Sequence, residues 1–161
     1  MTEPGKVAAE SVGPTIYYVD AGGQLRPDLK LSELSGIVRS GVGQLWLDIR
    51  ATDRQCVALL ENVFSFHPLA IEDSQNPSSR VKVDEYPGHL FAIVRGVRFH
   101  SETEDPYDLE TFNISFFLGP NYVVTVHGGE SSAFDVVAQR VERHPEVLRR
   151  GADRVMHAIM D

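Results

Sequence analysis

One stretch constrains this chain more than any other: Phe112-Asn113-Ile114-Ser115-Phe116-Phe117-Leu118, then Gly119-Pro120-Asn121, then Tyr122-Val123-Val124-Thr125-Val126. Phe112, Ile114, Phe116 and Leu118 recur at every second position, so they share one face of an extended segment over residues 108–118. The Gly-Pro-Asn link is far too short for the crossover that a parallel pair needs, and it predicts an antiparallel hairpin. A second short link, Pro87-Gly88, separates two more strand candidates. Residues 80–86 (Arg80-Val81-Lys82-Val83-Asp84-Glu85-Tyr86) alternate polar and apolar, as a strand with one wet face does. Leu90-Phe91-Ala92-Ile93-Val94 is apolar throughout, which suits a central strand covered on both faces. The sheet is therefore expected to be largely antiparallel and not doubly wound.

The remaining segments supply helices for that sheet. Thr15-Ile16-Tyr17-Tyr18-Val19 reads as a strand stopped by Asp20-Ala21-Gly22-Gly23, and a short helical turn is expected near Leu31 to Leu34. Residues 44–49 form another strand, with Leu45, Leu47 and Ile49 on one face and Trp46 and Asp48 on the other. Thr52-Asp53-Arg54-Gln55 has the spacing of a capping box, and Val57, Leu60, Val63 and Phe64 follow at helical spacing to an end near Ser65. Pro68 fits the first position of a second helix, capped by His67 and ended by residues 74–79. Ser132 and Asp135 repeat the capping-box spacing before a helix buried through Phe134, Val137, Ala138 and Val141, which stops near His144-Pro145. A further helix over residues 152–161 has neither a Gly cap nor a Pro stop, so the coding region is expected to continue. Strand, helices, antiparallel strands and helices in that order predict an α/β fold, an α/β/α sandwich with a mixed and largely antiparallel sheet flanked by helices. Residues 1–14, rich in Gly, Pro and Glu, read as a flexible amino-terminal tail, and residues 15–161 as one domain.

Charge and composition narrow the function. A net charge of -8 opposes contact with a phosphate backbone, so nucleic acid is not an expected partner. Cys56 stands alone, which rules out a disulfide framework or a cysteine metal cluster. No run of about 18 apolar residues occurs, so any membrane connection is expected outside this sequence.

Catalytic signatures are missing. The six histidines, at 67, 89, 100, 127, 144 and 157, show no HExxH spacing, no GxSxG elbow presents a serine, and His127-Gly128-Gly129-Glu130 lacks the residues of a P-loop. It reads as a turn, and the acidic loop of Glu102, Glu104, Asp105 and Asp108 as solvated charge. The chain is expected not to be an enzyme. Glu72 and Asp73, adjacent at the end of a short helix, are the exception. Carboxylates there oppose the helix dipole, and they can offer hard oxygen ligands to Mg²⁺ or Ca²⁺. By spacing alone the metal signal is weak, and a solvated helix end is the stronger reading.

His67-Pro68-Leu69-Ala70-Ile71-Glu72-Asp73 followed by residues 80–86 resembles the CorA family of magnesium transporters. Trp46-Leu47-Asp48-Ile49, Leu90-Phe91-Ala92-Ile93-Val94-Arg95, Tyr122-Val123-Val124-Thr125-Val126 and residues 155–161 resemble the same family's segments in the same order. The resemblance implies the amino-terminal cytoplasmic domain of a homopentameric transporter, truncated within or before the stalk helix that leads to the membrane. It implies an ion-sensing role in gating, with Asp73, Glu72 and Asp161 in regulatory Mg²⁺ sites completed by acids of the stalk or of another copy. Other copies of the chain are then the partners, the cytoplasmic face of the membrane is the location, and Mg²⁺, Co²⁺ or Zn²⁺ is the transported ion. The alternatives are a zinc-transporting relative and a freestanding soluble metal-binding protein.

Overall fold

The computed structural model describes residues 13–99, 104, 109–129 and 131–161. The expected tail, apart from Gly13 and Pro14, and the acidic loop, apart from Glu104, lie outside the described residues. The strands are β1 (Thr15–Val19), β2 (Gln44–Arg50), β3 (Lys82–Tyr86), β4 (His89–Phe99), β5 (Leu109–Leu118) and β6 (Tyr122–His127). They form one sheet in the order β1-β2-β6-β5-β4-β3. Both hairpins are antiparallel as expected: β3 pairs with β4 and β5 with β6. The β2–β6 pair is parallel, with Leu45 opposite Tyr122 and Arg50 opposite His127. This pairing gives the sheet its mixed character and moves β1 and β2 next to the last strand of the chain.

Helices cover both faces. A 3-10 turn (Leu31–Glu33), α1 (Leu34–Ser40), α2 (Arg54–Asn62) and α3 (Pro68–Gln75) lie on one face, where Leu34, Ile37, Leu60, Phe64, Phe66 and Ala70 pack on Leu45, Leu47, Ile49, Phe91 and Phe117. On the other face, α4 (Ser132–Arg143), α5 (Glu146–Arg149) and α6 (Ala152–Met160) bring Phe134, Val137, Leu148 and Val155 against Trp46, Phe116 and Val123. The alternation read in residues 44–49 thus sends Leu45, Leu47 and Ile49 into one core and Trp46 into the other. Trp46 is fully buried, and its indole N–H donates to Thr125 Oγ1 at 3.0 Å, as a buried indole requires.

Several boundaries differ from the sequence reading, each for a local reason. The helical turn near Leu31 continues as α1, because Leu34 and Ile37, one turn apart, are both buried. The cap of α2 is Asp53 in place of Thr52: Asp53 Oδ1 accepts from the N–H groups of Gln55 and Cys56 at 3.1 and 3.2 Å. A carboxylate is favoured over a hydroxyl there by the positive end of the helix. This helix ends at Asn62 and not near Ser65, because Ser65 takes a left-handed φ of 56° that turns the chain, with Phe64 and Phe66 stacked and both buried. At α4 the capping box does not form. Ser131 is the N-cap without a side-chain bond, so its third helical position holds Phe134, which is drawn into the core. Gly88, with φ 84°, supplies the left-handed conformation in the β3–β4 turn. Burial and the Asp53 carboxylate together push the Cys56 thiol up to about 12, which leaves it a hydrogen-bond donor and not a nucleophile.

Asp53→Ala is expected to cost about 1 kcal/mol at neutral pH, as loss of an N-cap does. The hydrogen bonds from Cys56 hold the Asp53 carboxyl below its ordinary value, so its contribution is present above about pH 3.9 and lost as pH falls through the lowered value. Urea denaturation of both proteins at neutral and acid pH checks this. Equal losses at both pH values would show that Asp53 acts through packing alone.

Candidate metal centre

Asp73 stands where it does because the ends of α3 are tied down. At the N-terminus, His67 Nδ1 accepts from the Leu69 N–H at 3.1 Å, the expected cap, and the His67 ring stacks on Tyr86 of β3 at 4.9 Å. At the C-terminus, the Ser74 hydroxyl donates to the Ile71 carbonyl at 2.6 Å and Ser79 Oγ to the Asp73 carbonyl at 2.9 Å. Asn113 on β5 then donates to the carbonyl of Ser79 at 2.8 Å. These bonds add to the backbone bond from the Asn76 N–H to the Asp73 carbonyl, and they fix the last turn of α3 over the β3–β5 half of the sheet.

Strand alternation does the rest. Lys82, Asp84 and Tyr86 of β3 lie opposite Ile93, Phe91 and His89, on the face that α3 covers. Lys82 Nζ lies 2.5 Å from Asp73 Oδ2 and 3.0 Å from Asp84 Oδ2, and its ammonium is also 5.9 Å from the centre of the Phe91 ring. The bond to Asp73, then that to Asp84, raises the Lys82 pKa above its ordinary value, against the opposing effect of burial. Two carboxylates from different elements thus converge on one positive charge. A hard cation reaching Asp73 from solvent has oxygen ligands to meet, and it must compete with this ammonium for them. Lys82 and Asp84 were missed as site residues in the sequence, although a period of two already places both on one face.

The three acids named from the sequence are not brought together within one chain. Asp73 is partly exposed beside Lys82, and Glu72 is exposed on the same helix. Asp161 is exposed at the end of α6, which packs on the opposite face of the sheet. Among the described residues no group of three or more His, Cys, Asp or Glu is arranged to hold a metal ion. Nor is any described helix long and apolar enough to cross a membrane.

With side chains 31% and 34% exposed, the Asp73–Lys82 pair is well solvated, and Asp73→Asn is expected to cost at most about 1 kcal/mol and to leave the secondary structure unchanged. Circular dichroism and urea denaturation measure both. A loss several times larger would make Asp73 a structural residue.

Known proteins resemble the chain in sequence and in shape. It is 32% identical over 133 residues to YfjQ of Bacillus subtilis (strain 168), whose name describes a metal ion transporter, a match over 83% of this chain and 40% of that protein. It is 25% identical over 118 residues to the cobalt/magnesium transport protein CorA of Thermotoga maritima, over 72% of this chain and 33% of that one. The chain therefore spans less than half the length of these relatives. The soluble domain of CorA from Methanocaldococcus jannaschii has the same fold, with a TM-score of 0.64 at 13% identity over 90% of this chain and 54% of that one. Residues 43–161 match the family model described as CorA-like Mg2+ transporter protein, and the chain belongs to that family.

Proposed function

We propose that this chain is the cytoplasmic, ion-sensing domain of a CorA-type divalent-cation transporter, in which occupancy of an acidic site by Mg²⁺ favours the closed pore. The observation that supports this reading is the convergence of Asp73 and Asp84 on a single ammonium: a cation already sits between the two carboxylates. Lys82 supplies one charge, whereas Mg²⁺ supplies two and accepts a set of oxygen ligands that includes water. An acid from a second copy approaching Asp73 would meet a local charge that Lys82 does not fully neutralise, and a divalent ion between the two would relieve the repulsion. Glu72 and Asp161, both exposed, are open to such contacts between copies. In a pentamer, about 1 kcal/mol of coupling at each of five equivalent sites would suffice to bias the pore strongly.

In the isolated chain the site has one wall, and Mg²⁺ is expected to bind no more tightly than about millimolar. Lys82→Met removes the competing ammonium and leaves Asp73 facing Asp84, so Mg²⁺ affinity is expected to rise several-fold by isothermal titration. An unchanged or weaker affinity would show that Lys82 does not compete with the ion. In the full-length protein, Asp73→Asn is expected to weaken inhibition of transport by internal Mg²⁺, and flux measurements with Mg²⁺, Co²⁺ and Zn²⁺ identify the transported ion in the same assay. An inhibition curve identical to that of the parent would remove Asp73 from gating.

The same reading assigns the chain no catalytic residue. Turnover of phosphate, ester or peptide substrates is expected to stay below about 1 s⁻¹ with Mg²⁺, Mn²⁺ or Zn²⁺ present, and a rate above that would point to an enzyme.

A further inference from the structure

At the carboxyl ends of β2 and β6, Trp46, Asp48, Thr125 and His127 form a partly buried chain of hydrogen bonds whose directions chemistry fixes. The Trp46 Nε1–H can only donate, and it gives to Thr125 Oγ1 at 3.0 Å. Thr125 then sends its own hydrogen to Asp48 Oδ1 at 2.6 Å. At the other end, the carbonyl of Gly129 can only accept, and it lies 2.6 Å from His127 Nδ1, so Nδ1 carries a hydrogen. His127 Nε2 lies 3.0 Å from Asp48 Oδ1 and 3.1 Å from Oδ2. A neutral imidazole has one N–H, here already given to Gly129, so without a further proton the Nε2 lone pair would face a carboxylate. The His127 ring is buried, which makes such a mismatch costly.

We propose that Asp48 and His127 hold one additional proton between them in the native state, and that this proton, by giving Nε2 its own bond to Asp48, keeps the Nδ1 hydrogen on Gly129 and so latches the Gly128-Gly129 turn to the sheet in a pH-dependent way. The latch matters to α4 because the N-cap of that helix, Ser131, makes no side-chain bond of its own. The Phe134 ring in the first turn of α4 stacks on the His127 ring with 4.1 Å between centroids, so the state of the imidazole bears directly on how α4 is seated.

The charged and titratable neighbours are few among the described residues. Tyr17 from β1 is a phenol pushed up to about 12, chiefly by burial and then by Glu142, Asp48 and Asp135, so it stays neutral. Arg50 from β2 and Asp135 from α4 line the same cavity as Asp48 and His127, about 240 Å³ in volume, which admits water and gives the proton a route out. Arg98 from β4 lies against Gly129, and the residue opposite His127 on β5 is the apolar Ile114.

The direction of the pH effect follows from proton counting. A proton that the folded pair holds and the unfolded chain does not makes the folded state the one that binds more protons. Stability therefore falls as pH rises wherever that difference in bound protons persists. One proton of difference raises the unfolding constant by up to about tenfold per pH unit. His89 acts in the opposite sense: burial lowers its pKa, so its contribution is present above about pH 6.5 and lost as pH falls through the lowered value. The two histidines are thus separable by the opposite signs of their effects on stability as pH changes.

The test is nuclear magnetic resonance of the His127 ring nitrogens and the Asp48 carboxyl carbon in the 161-residue chain, at about one pH unit above the ordinary histidine value. The expected result is a proton on Nδ1 and a second on either Nε2 or Asp48. A bare Nε2 beside an ionised Asp48 overturns the proposal. Asp48→Asn provides the second arm, because an amide donates to Nε2 and accepts from Thr125 without any additional proton. The loss of stability on raising the pH should then flatten, and persistence of the parent slope would overturn the latch. Should this variant fail to fold, the spectra of the parent chain decide alone.

Discussion

The parallel pairing of β2 with β6 is the constraint on which the rest of the architecture depends. The β3–β4 and β5–β6 hairpins lie on one side of it and the β1–β2 pair on the other, and neither side alone would have a complete core. Joining β2 to β6 puts Leu47 beside Val124 in one apolar layer and Trp46 beside Val123 in the other. It thereby creates both cores at once, at the entropic cost of closing a long loop. The same pairing sets Asp48 beside Thr125 and Arg50 beside His127, so the partly buried polar chain at this end of the sheet exists only when the two strands are in register. A slip of one residue would exchange the faces of Trp46 and Leu47 and break that chain as well. Apolar packing and hydrogen bonding therefore specify one register.

Much of this was legible in the sequence, and where it was not the reason is physical. Alternation in residues 44–49 and 109–118 identified strands with two different faces, and the links Pro87-Gly88 and Gly119-Pro120-Asn121 fixed which neighbours are antiparallel. Such local signals carry no information on which distant strand lies next to β2, so the parallel pair was invisible. Helix starts were misjudged where two capping residues stood side by side. Asp53 won over Thr52 because it offers a charge as well as an acceptor, and Ser131 preceded Ser132 because the burial of Phe134 set the phase of the helix.

The candidate site was half legible. Asp73 was singled out by the string in which it sits, and His67 as its helix cap by the adjacent proline. The partners of Asp73 were harder to see, because Lys82 and Asp84 belong to a different element whose placement depends on the fold. A lysine in an alternating strand has an ordinary appearance, and nothing in its immediate neighbours marks it as the counter-ion of a carboxylate nine positions away. Asp161 shows the converse: it was named from the resemblance, and its position on the far face of the sheet follows from the packing of α6.

Strand β3 closes one side of the sheet, and its composition has a bearing on how copies of this chain can meet. An outer strand carries backbone donors and acceptors with no partner strand beyond, and extended peptides from other molecules are drawn to such a border. Here the border carries Lys82, Asp84 and Glu85 within five residues. A visiting strand would crowd those charged groups and disturb the ammonium that joins two of its neighbours. This border of the sheet is thus guarded by charge, whereas the opposite border, β1, carries none.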